Sequence, residues 1–328
     1  MTKTNDVISL GNAIMDFLIE IDDNKLLEMN LNKGEMHLVE EEKAKELLKK
    51  IEAHKLAIEL CPGGSAANTL RGLALLGSNV ILCGKVGKDQ HGEIYVEEIK
   101  KHGVNSKINN HIKQTGHAIA FITPDSERTF SVHLGAAIEL ETEDILEEDI
   151  AKSKILHVEG YLLEGRNKDL MVNAINLAKK HNTLVSMDLA DPGVIRRNKD
   201  FLQEFIKKAD ILFVNEKEAE EFTGTSDYET AARKLGESCN IAIVKIGKEG
   251  SLICHNGEII KIAGFPAQAI DTTGAGDTYA AGFLYGHCQG WNLEKSGRLG
   301  SLYASKIVEK KGVKLMELNV EGIKNQSL

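Results

Sequence analysis

From about residue 155 onward, short apolar runs alternate with longer helical patterns. The runs have the length of strands and are apolar on both faces, as in buried parallel strands; they cover 155–158, 184–188, 211–215 and 241–246. Segments 168–180 and 228–238, which lie between them, carry apolar residues at helical spacing. This part of the chain therefore predicts an α/β fold with a parallel sheet covered by helices on both faces.

The N-terminal third has a different pattern. Segments that resemble strands follow one another with few helices between them, at 7–10, 17–21, 36–39, 117–123 and 129–134. These strands are expected to form a small separate sheet. The acidic stretch 139–150 has a helical pattern and predicts a solvated helix that leads into the larger unit.

Polar residues, and in one case a glycine, lie where the predicted parallel strands end. Glu159, Asp188, Asn215 and Gly247 each lie at or directly after the carboxyl end of one strand. Ligands of open α/β sheets bind at these ends, so the sequence indicates a binding site there.

Composition narrows the choice of ligand. The 328 residues carry a net charge of −9 and no basic cluster beyond short pairs, which argues against nucleic acid as a partner. No signal peptide and no apolar run of membrane-spanning length is evident, so a cytoplasmic protein without a membrane partner is expected. The five cysteines are scattered and form no Cys-x-x-Cys motif, which fits reduced thiols. A small molecule is the expected partner.

The segment 271–286 is a glycine turn followed by a small, apolar helix pattern. Gly274 and Gly276 allow successive backbone amides to point at one anion, and the N-terminal end of the helix would add to the attraction. Asp277 in the first turn would be repelled by a phosphate unless it accepts the proton of an attacking hydroxyl. The alternative is that Asp277 only caps the helix.

Two further segments indicate a site for hydroxyl groups. Gly63 and Gly64 precede a helical pattern that contains Asn68, whose amide can both donate and accept hydrogen bonds. Asn12 and Asp16 follow the first strand, where a carboxylate could bind two adjacent hydroxyls of a ribose. Ordinary tight turns are the alternatives for both segments.

Two more strand ends carry polar or glycine motifs. Asn215 and Glu218 lie three positions apart at a predicted helix start, where they suit water-mediated contacts to Mg²⁺ and phosphate. A capping box explains the same pair without any ligand. The segment 245–250 could let a nucleotide lie over two glycines, and it is equally a β-hairpin turn. Taken together, the four strand-end sites describe a phosphoryl transfer enzyme with two substrates.

Segments 63–68 and 271–277 resemble the two signature motifs of the ribokinase-like (PfkB) carbohydrate and nucleoside kinases, and 215–218 fits the same family. The resemblance spans nearly the whole chain. It implies one kinase unit over 1–328 with a Rossmann-like three-layer α/β/α ribokinase-like fold. The large domain would comprise about 1–11, 40–108 and 140–328, and a small β-sheet lid about 12–39 and 109–139.

By this resemblance, MgATP is the phosphoryl donor and Asp277 is the general base. The amides of Gly274, Ala275 and Gly276 would stabilise the transferring phosphoryl group. The acceptor would be bound by Asn12, Asp16, Gly63, Gly64 and Asn68. Mg²⁺ would be organised through water by Asn215 and Glu218, and the nucleotide would be bordered by Lys245, Gly247, Gly250, Thr273 and Ser301. The resemblance leaves open a monovalent cation such as K⁺ near Asp271, as used in parts of the family.

The segments 11–16, 21–23 and 26–40 are similar to those of adenosine kinases, including bacterial members of that name. Tyr161 falls where such enzymes place an aromatic residue against the purine. An apolar lid wall that suits a nucleobase would be formed by Ile14, Met36, Leu38, Phe121 and Leu134. We therefore expect an adenosine kinase of purine salvage, acting as a monomer or as a homodimer through the lid. The alternatives are a kinase for ribose, fructose or a related sugar acid, and a sensor that binds ligand without consuming ATP.

Overall fold

The computed structural model describes residues 2–34, 36–125, 127–165 and 167–327. Within these ranges the strands are β1 Asn5–Leu10, β2 Ile14–Glu20, β3 Met36–Leu38, β4 Glu59–Pro62, β5 Val80–Gly87, β6 Asn105–His111, β7 Thr115–Ile122, β8 Arg128–Gly135, β9 Ser153–Glu159, β10 Leu184–Asp188, β11 Ile211–Asn215, β12 Ile241–Lys245, β13 Gly250–His255 and β14 Glu258–Ala263. The α-helices are α1 Asp23–Glu28, α2 Glu41–Ala53, α3 Ser65–Leu75, α4 Gln90–Lys101, α5 Glu147–Ala151, α6 Lys168–Lys180, α7 Pro192–Arg197, α8 Lys199–Phe205, α9 Glu216–Thr223, α10 Tyr228–Gly236, α11 Ala275–Cys288, α12 Leu293–Ile307 and α13 Val320–Ser327.

The larger sheet has the strand order β14-β13-β12-β11-β10-β9-β1-β5-β6. Its strands from β12 to β6 pair in parallel, and β13 and β14 extend one edge as an antiparallel hairpin. Alternate side chains enter two separate cores: Phe213 packs in the core with α3, α11 and α12, and Val214 packs in the core with α6 and α10. The predicted three-layer α/β/α architecture is confirmed.

The smaller sheet, which we call the lid, has the order β3-β8-β7-β2-β4. Four of its strands come from the predicted lid segments 12–39 and 109–139, whereas β4 comes from residues 59–62. One face of the lid shares a core with α1 and α2, through Leu26, Met29, Leu47 and Ile51. The other face is turned toward the glycine segments described below.

Two local expectations are wrong. The stretch 139–150 does not form one helix, because a 3-10 turn at Thr142–Asp144 is separated from α5 by extended residues. The N-terminal third also contains more helix than its pattern predicts, since α1 and α2 lie between β2 and β4. The amphipathic spacing of α2, with Ala44, Leu47 and Ile51 buried, was a signal for that helix.

All five cysteines are free thiols. Among the described residues, no helix is both long and apolar enough to cross a bilayer.

Candidate active site

The glycine turn ends at Gly274, which is the N-cap of α11 and has a left-handed backbone with φ of 73°. A side chain at this position would also strike Val313, because a Cβ would lie 2.7 Å from its Cγ2. The amides of Gly274 and Gly276 donate to no acceptor among the described residues, whereas Ala275 N donates weakly to Thr272 O at 3.2 Å. The predicted anion hole thus has free donors at the positive end of a 14-residue helix.

Asp277 occupies the third position of α11. Its carboxylate accepts hydrogen bonds from Ser65 Oγ at 2.7 Å and from Asn68 Nδ2 at 3.0 Å. Desolvation raises the pKa of Asp277, and the two hydrogen bonds oppose that effect. Since Gly274 is the cap and the carboxylate is oriented by another helix, the alternative that Asp277 merely caps α11 is wrong.

The start of α3 brings together residues that the sequence predicted to bind the acceptor. Gly64 is the N-cap of α3 with φ of 92°, a conformation that favours glycine. Gly63 lies against Asp16, because a Cβ on Gly63 would be 2.1 Å from Asp16 Oδ1. Asp16 is half-buried, and its carboxylate accepts no hydrogen bond from the described residues. Desolvation raises its pKa to about 7, against the charges of Arg71 and Arg128, and nearby Asp277 adds to the rise.

Asn12 and Tyr161 also meet at this site. Asn12 is 4% exposed and its Nδ2 donates to Tyr161 O at 3.2 Å, while its Oδ1 is buried with no partner in the described structure. An orphaned buried acceptor is costly unless a ligand or water completes it. The Tyr161 hydroxyl donates to Ala190 O at 3.3 Å, so the ring is anchored by its tip.

The structure brings together three of the five residues predicted for the apolar lid wall. Ile14 shares a cluster with Met36 and Leu134, whereas Leu38 is 44% exposed and lies outside that cluster. Phe121 does not belong to this wall, because it pairs with Ile19 and packs in the core on the opposite face of the lid. The expectation for Phe121 is therefore wrong, since adjacent residues of a strand point to opposite faces. Phe130 and Val132 of β8 take part in the wall instead.

Asn215 and Glu218 form a complete capping box at the start of α9. Glu218 Oε2 accepts from Asn215 N at 2.8 Å, Oε1 accepts from Asn215 Nδ2 at 2.5 Å, and Glu218 N donates to Asn215 Oδ1 at 2.9 Å. Burial raises the pKa of Glu218, with Asp188 adding to the rise. No group of three or more acidic, histidine or cysteine side chains in the described part of the chain is arranged to hold a metal ion.

The segment 245–250 is a hairpin turn between the antiparallel strands β12 and β13. Gly250 is required by packing, since a Cβ would lie 2.0 Å from Ile262 O, while Gly247 is exposed. Lys245 points away from this turn: its Nζ donates to Asp188 Oδ2 at 2.8 Å and would lie 3.0 Å from a Cβ on Gly276. Its ammonium group therefore lies beside the anion hole rather than at a nucleobase.

Thr273 and Ser301 make local contacts. Thr273 N donates to Asp271 Oδ1 at 3.0 Å, and Ser301 Oγ donates to Ala263 O at 3.0 Å. Asp271 also accepts from Gly312 N at 2.6 Å and forms a buried ion pair with Arg128 of β8. The glycine turn is thus tied directly to the lid.

Three residues that shape the candidate site were given no role in the sequence analysis. Arg71 in α3 donates from Nη1 to Asn68 Oδ1 at 3.2 Å, which orients the amide so that Nδ2 faces Asp277. Glu159 is 1% exposed, accepts from Ala66 N at 2.9 Å, and desolvation raises its pKa to about 8. The third, Arg128, reaches Asp271 across the two sheets. Only Glu159 had a signal, its place at a strand end.

The chain belongs to the pfkB family of carbohydrate kinases, whose family profile matches residues 35–319. It is a sugar or nucleoside kinase of that family. Members of the family generally use ATP and Mg²⁺.

Relatives with both kinds of acceptor in their names are similar to this chain. A 5-dehydro-2-deoxygluconokinase of Clostridium beijerinckii is 31% identical over 80% of this chain and 83% of its own length. The structure of a probable sugar kinase from Rhizobium etli superposes with a TM-score of 0.91 at 32% identity, over 99% of each chain. The adenosine kinase of Sinorhizobium meliloti superposes with a TM-score of 0.90 at 34% identity, again over 99% of each chain.

Proposed function

We propose that this kinase transfers the γ-phosphoryl group of MgATP to the 5′-hydroxyl of a nucleoside, with adenosine as the first candidate, giving AMP and ADP. The observation that carries the proposal is the setting of Asp277. Its carboxylate is oriented by Ser65 and Asn68, borders the free amides of Gly274 and Gly276, and lies near enough to Asp16 to raise its pKa. A base, an anion hole and a hydroxyl-binding carboxylate therefore share one site.

In this proposal Asp16 and Asn12 bind hydroxyls of the acceptor sugar. Both have acceptor oxygens without a partner among the described residues, and Asn68 can add a polar contact from α3. Asp277 accepts the proton of the attacking hydroxyl. Its raised pKa makes it a stronger base than an exposed aspartate, and the two hydrogen bonds keep it oriented.

The apolar wall of the lid favours an acceptor that carries a nucleobase. The wall of Ile14, Val132 and Ala118, flanked by Met36 and Phe130, is apolar and includes small side chains that leave room for a flat group. A planar ring would bury against such a surface with a favourable hydrophobic contribution. Tyr161, anchored through its hydroxyl, is proposed to contact the base.

One observation favours a sugar acid as the second candidate acceptor. Arg128 Nη1 is buried and has no partner among the described residues, although Nη2 is paired with Asp271. A carboxylate on the acceptor would satisfy this donor with a charge-assisted hydrogen bond. The relatives named 5-dehydro-2-deoxygluconokinase make this acceptor class worth testing.

The nucleotide phosphates fit the free amides and the Lys245 ammonium group, and Thr273 and Ser301 are proposed to border the nucleotide. Mg²⁺ would neutralise charge on the phosphates. Both oxygens of Glu218 are already used by Asn215, so these two residues would hold Mg²⁺ through water rather than directly. We propose no requirement for K⁺, because the Arg128 guanidinium already supplies a positive charge at Asp271.

We also propose that the protein is located in the cytoplasm, as a monomer or as a homodimer through the lid. One face of the lid is packed against α1 and α2 of the same chain, but Leu27 of α1, Leu38 of β3 and Leu60 of β4 are 72%, 44% and 41% exposed and could be covered by a second copy. Light scattering after gel filtration measures the oligomeric state directly.

The test is an ADP-release assay with MgATP against adenosine, inosine, guanosine, cytidine, ribose, fructose and 5-dehydro-2-deoxygluconate, with Asp277→Asn as the blank. Adenosine-dependent turnover that is lost in the blank supports the proposal. Turnover only with the sugar acid establishes the second candidate, and Arg128→Gln should then remove it selectively. Ligand binding without any ADP release would mark a sensor and overturn the kinase assignment of the site.

A further inference from the structure

The Lys245 ammonium group lies at the point where the anion hole meets the carboxyl ends of the strands. It is paired with Asp188 at 2.8 Å, and the two side chains are 13% and 8% exposed. Its Nζ lies over the Phe213 ring, 6.0 Å from the ring centroid. Glycine at position 276 keeps this place open, since Nζ would lie only 3.0 Å from a Cβ there.

The charges around Lys245 are mostly negative. Burial alone would lower the pKa of its ammonium group, but the carboxylates of Asp188 and Glu218, with a contribution from Asp277, outweigh burial and raise it. The side chain therefore stays protonated beside the glycine turn. It supplies a full positive charge close to free amides that carry only partial ones.

We propose that Lys245 is a catalytic residue that donates a hydrogen bond to a non-bridging oxygen of the transferring phosphoryl group, with Asp188 positioning it before the nucleotide arrives. This inference rests on the proposed phosphotransferase function and deepens it. A buried pair that served stability alone would not need the close approach to Gly276, where an added Cβ would lie 3.0 Å from Nζ and the ammonium group would have to shift.

The step balances without a proton from Lys245. The acceptor oxygen forms a bond to the γ-phosphorus, the bond from that phosphorus to the β,γ-bridging oxygen breaks, and ADP leaves with the electron pair. The hydroxyl proton passes to Asp277. Lys245 remains an ammonium ion throughout and stabilises negative charge on the phosphoryl oxygens. This stabilisation is greatest during the transfer itself.

The experiment compares Lys245→Met, Asp188→Asn and the double variant with the wild type. Lys261→Met is the matched control, because Lys261 lies in β14 of the same sheet, outside the segment 245–250, and is exposed. Two measurements are made: steady-state kinetics, which give kcat and the KM values for MgATP and for the best acceptor of the panel, and titration of MgADP with and without aluminium fluoride, which gives the gain in affinity. Thermal melts show whether each variant is folded.

Lys245→Met should lower kcat by about 10²–10³-fold and abolish the gain in affinity from aluminium fluoride, with the acceptor KM little changed. The double variant separates the two explanations. It contains no unpaired buried charge, so its melting temperature should recover relative to Lys245→Met while kcat remains low. Recovery of kcat in the double variant, or a retained aluminium fluoride effect in Lys245→Met, would show that Lys245 only neutralises Asp188 and would overturn the inference.

The wild type distinguishes this inference from the function on which it rests. If the wild type neither releases ADP with any acceptor nor binds MgADP, the proposed function and the role of Lys245 both fail. If the wild type is active and Lys245→Met matches it, only the role of Lys245 fails. Lys261→Met should behave as the wild type in both measurements.

Discussion

Asn68 donates a hydrogen bond of 3.0 Å to Asp277, although the two residues are 209 positions apart in the chain. The amide oxygen of Asn68 accepts a hydrogen bond from Arg71 Nη1, so the amide cannot rotate without losing a partner. Asp277 therefore has one fixed orientation relative to the start of α3. The two signature segments of the family form a single hydrogen-bonded unit.

Replacing Asp277 with asparagine should reduce turnover by about 10²–10⁴-fold while leaving acceptor binding largely intact. The amide keeps the shape of the carboxylate and can still accept from Ser65, but it cannot accept a proton. Steady-state kinetics and calorimetric titration with the acceptor measure the two effects separately. Asp169→Asn, at an exposed position, is the control. Turnover near that of the wild type would remove Asp277 as the base.

Acceptor affinity should depend on pH through Asp16. Desolvation raises the pKa of this group to about 7, so the carboxylate is mostly protonated at pH 6 and ionised at pH 8. The ionised form accepts hydrogen bonds from hydroxyls more strongly, so the acceptor KM should fall over this interval. Asp16→Asn should raise the KM by about 10–100-fold and remove its pH dependence, because a hydrogen bond to a charged group contributes about 1.5–3 kcal/mol. A wild-type KM that is constant from pH 6 to 8 would contradict this role.

Stability should fall as pH rises because of Glu159. Its pKa is raised from 4.5 to about 8 by desolvation. Between these values the folded protein holds a proton that the unfolded chain has lost, so the contribution to stability is full below about 4.5 and is lost as pH rises through 8. Glu159→Gln can still accept from Ala66 N and carries no charge. The melting temperature of this variant relative to that of the wild type should rise from pH 5 to 9. The relative melting temperature of Glu143→Gln, at an exposed site, should stay constant.

The ion pair between Arg128 and Asp271 should stabilise the docked lid. Their side chains are 13% and 4% exposed, so Arg128→Gln leaves a nearly buried carboxylate without its counter-ion and should cost about 3–5 kcal/mol. Adding Asp271→Asn should recover part of this loss. The exposed pair of Lys33 and Asp125 in the lid is the comparison, and Lys33→Gln should cost under about 1 kcal/mol. Urea unfolding measures all three variants, and equal losses for Arg128→Gln and Lys33→Gln would argue against a lid contact of special importance.

The sequence predicted those parts of the site that depend on local pattern. Gly274 and Asp277, or Gly64 and Asn68, lie within one turn of a helix start, so their spacing along the chain is also their spacing in space. Phe121 was misplaced because its face depends on strand register, in which β2 and β7 pair Ile14 with Gly116. Contacts such as Arg128 with Asp271 join residues 143 positions apart, and no local pattern reports them. The same applies to Lys245 and Asp188, which are neighbours only because β10, β11 and β12 lie side by side.

The helix that carries Asp277, α11, packs closely against α3 because glycines lie at their contact. A Cβ on Gly72 would lie 2.8 Å from the Cβ of Ala281, and a Cβ on Gly282 would lie 2.8 Å from the Cα of Gly300 in α12. In the proposed mechanism, the distance between these helices, which the absent methyl groups set well away from the substrate, fixes where Asp277 meets the acceptor hydroxyl. With Asp277 as the base, a single added carbon atom behind the site would change the catalytic geometry itself, and with it the reaction rate.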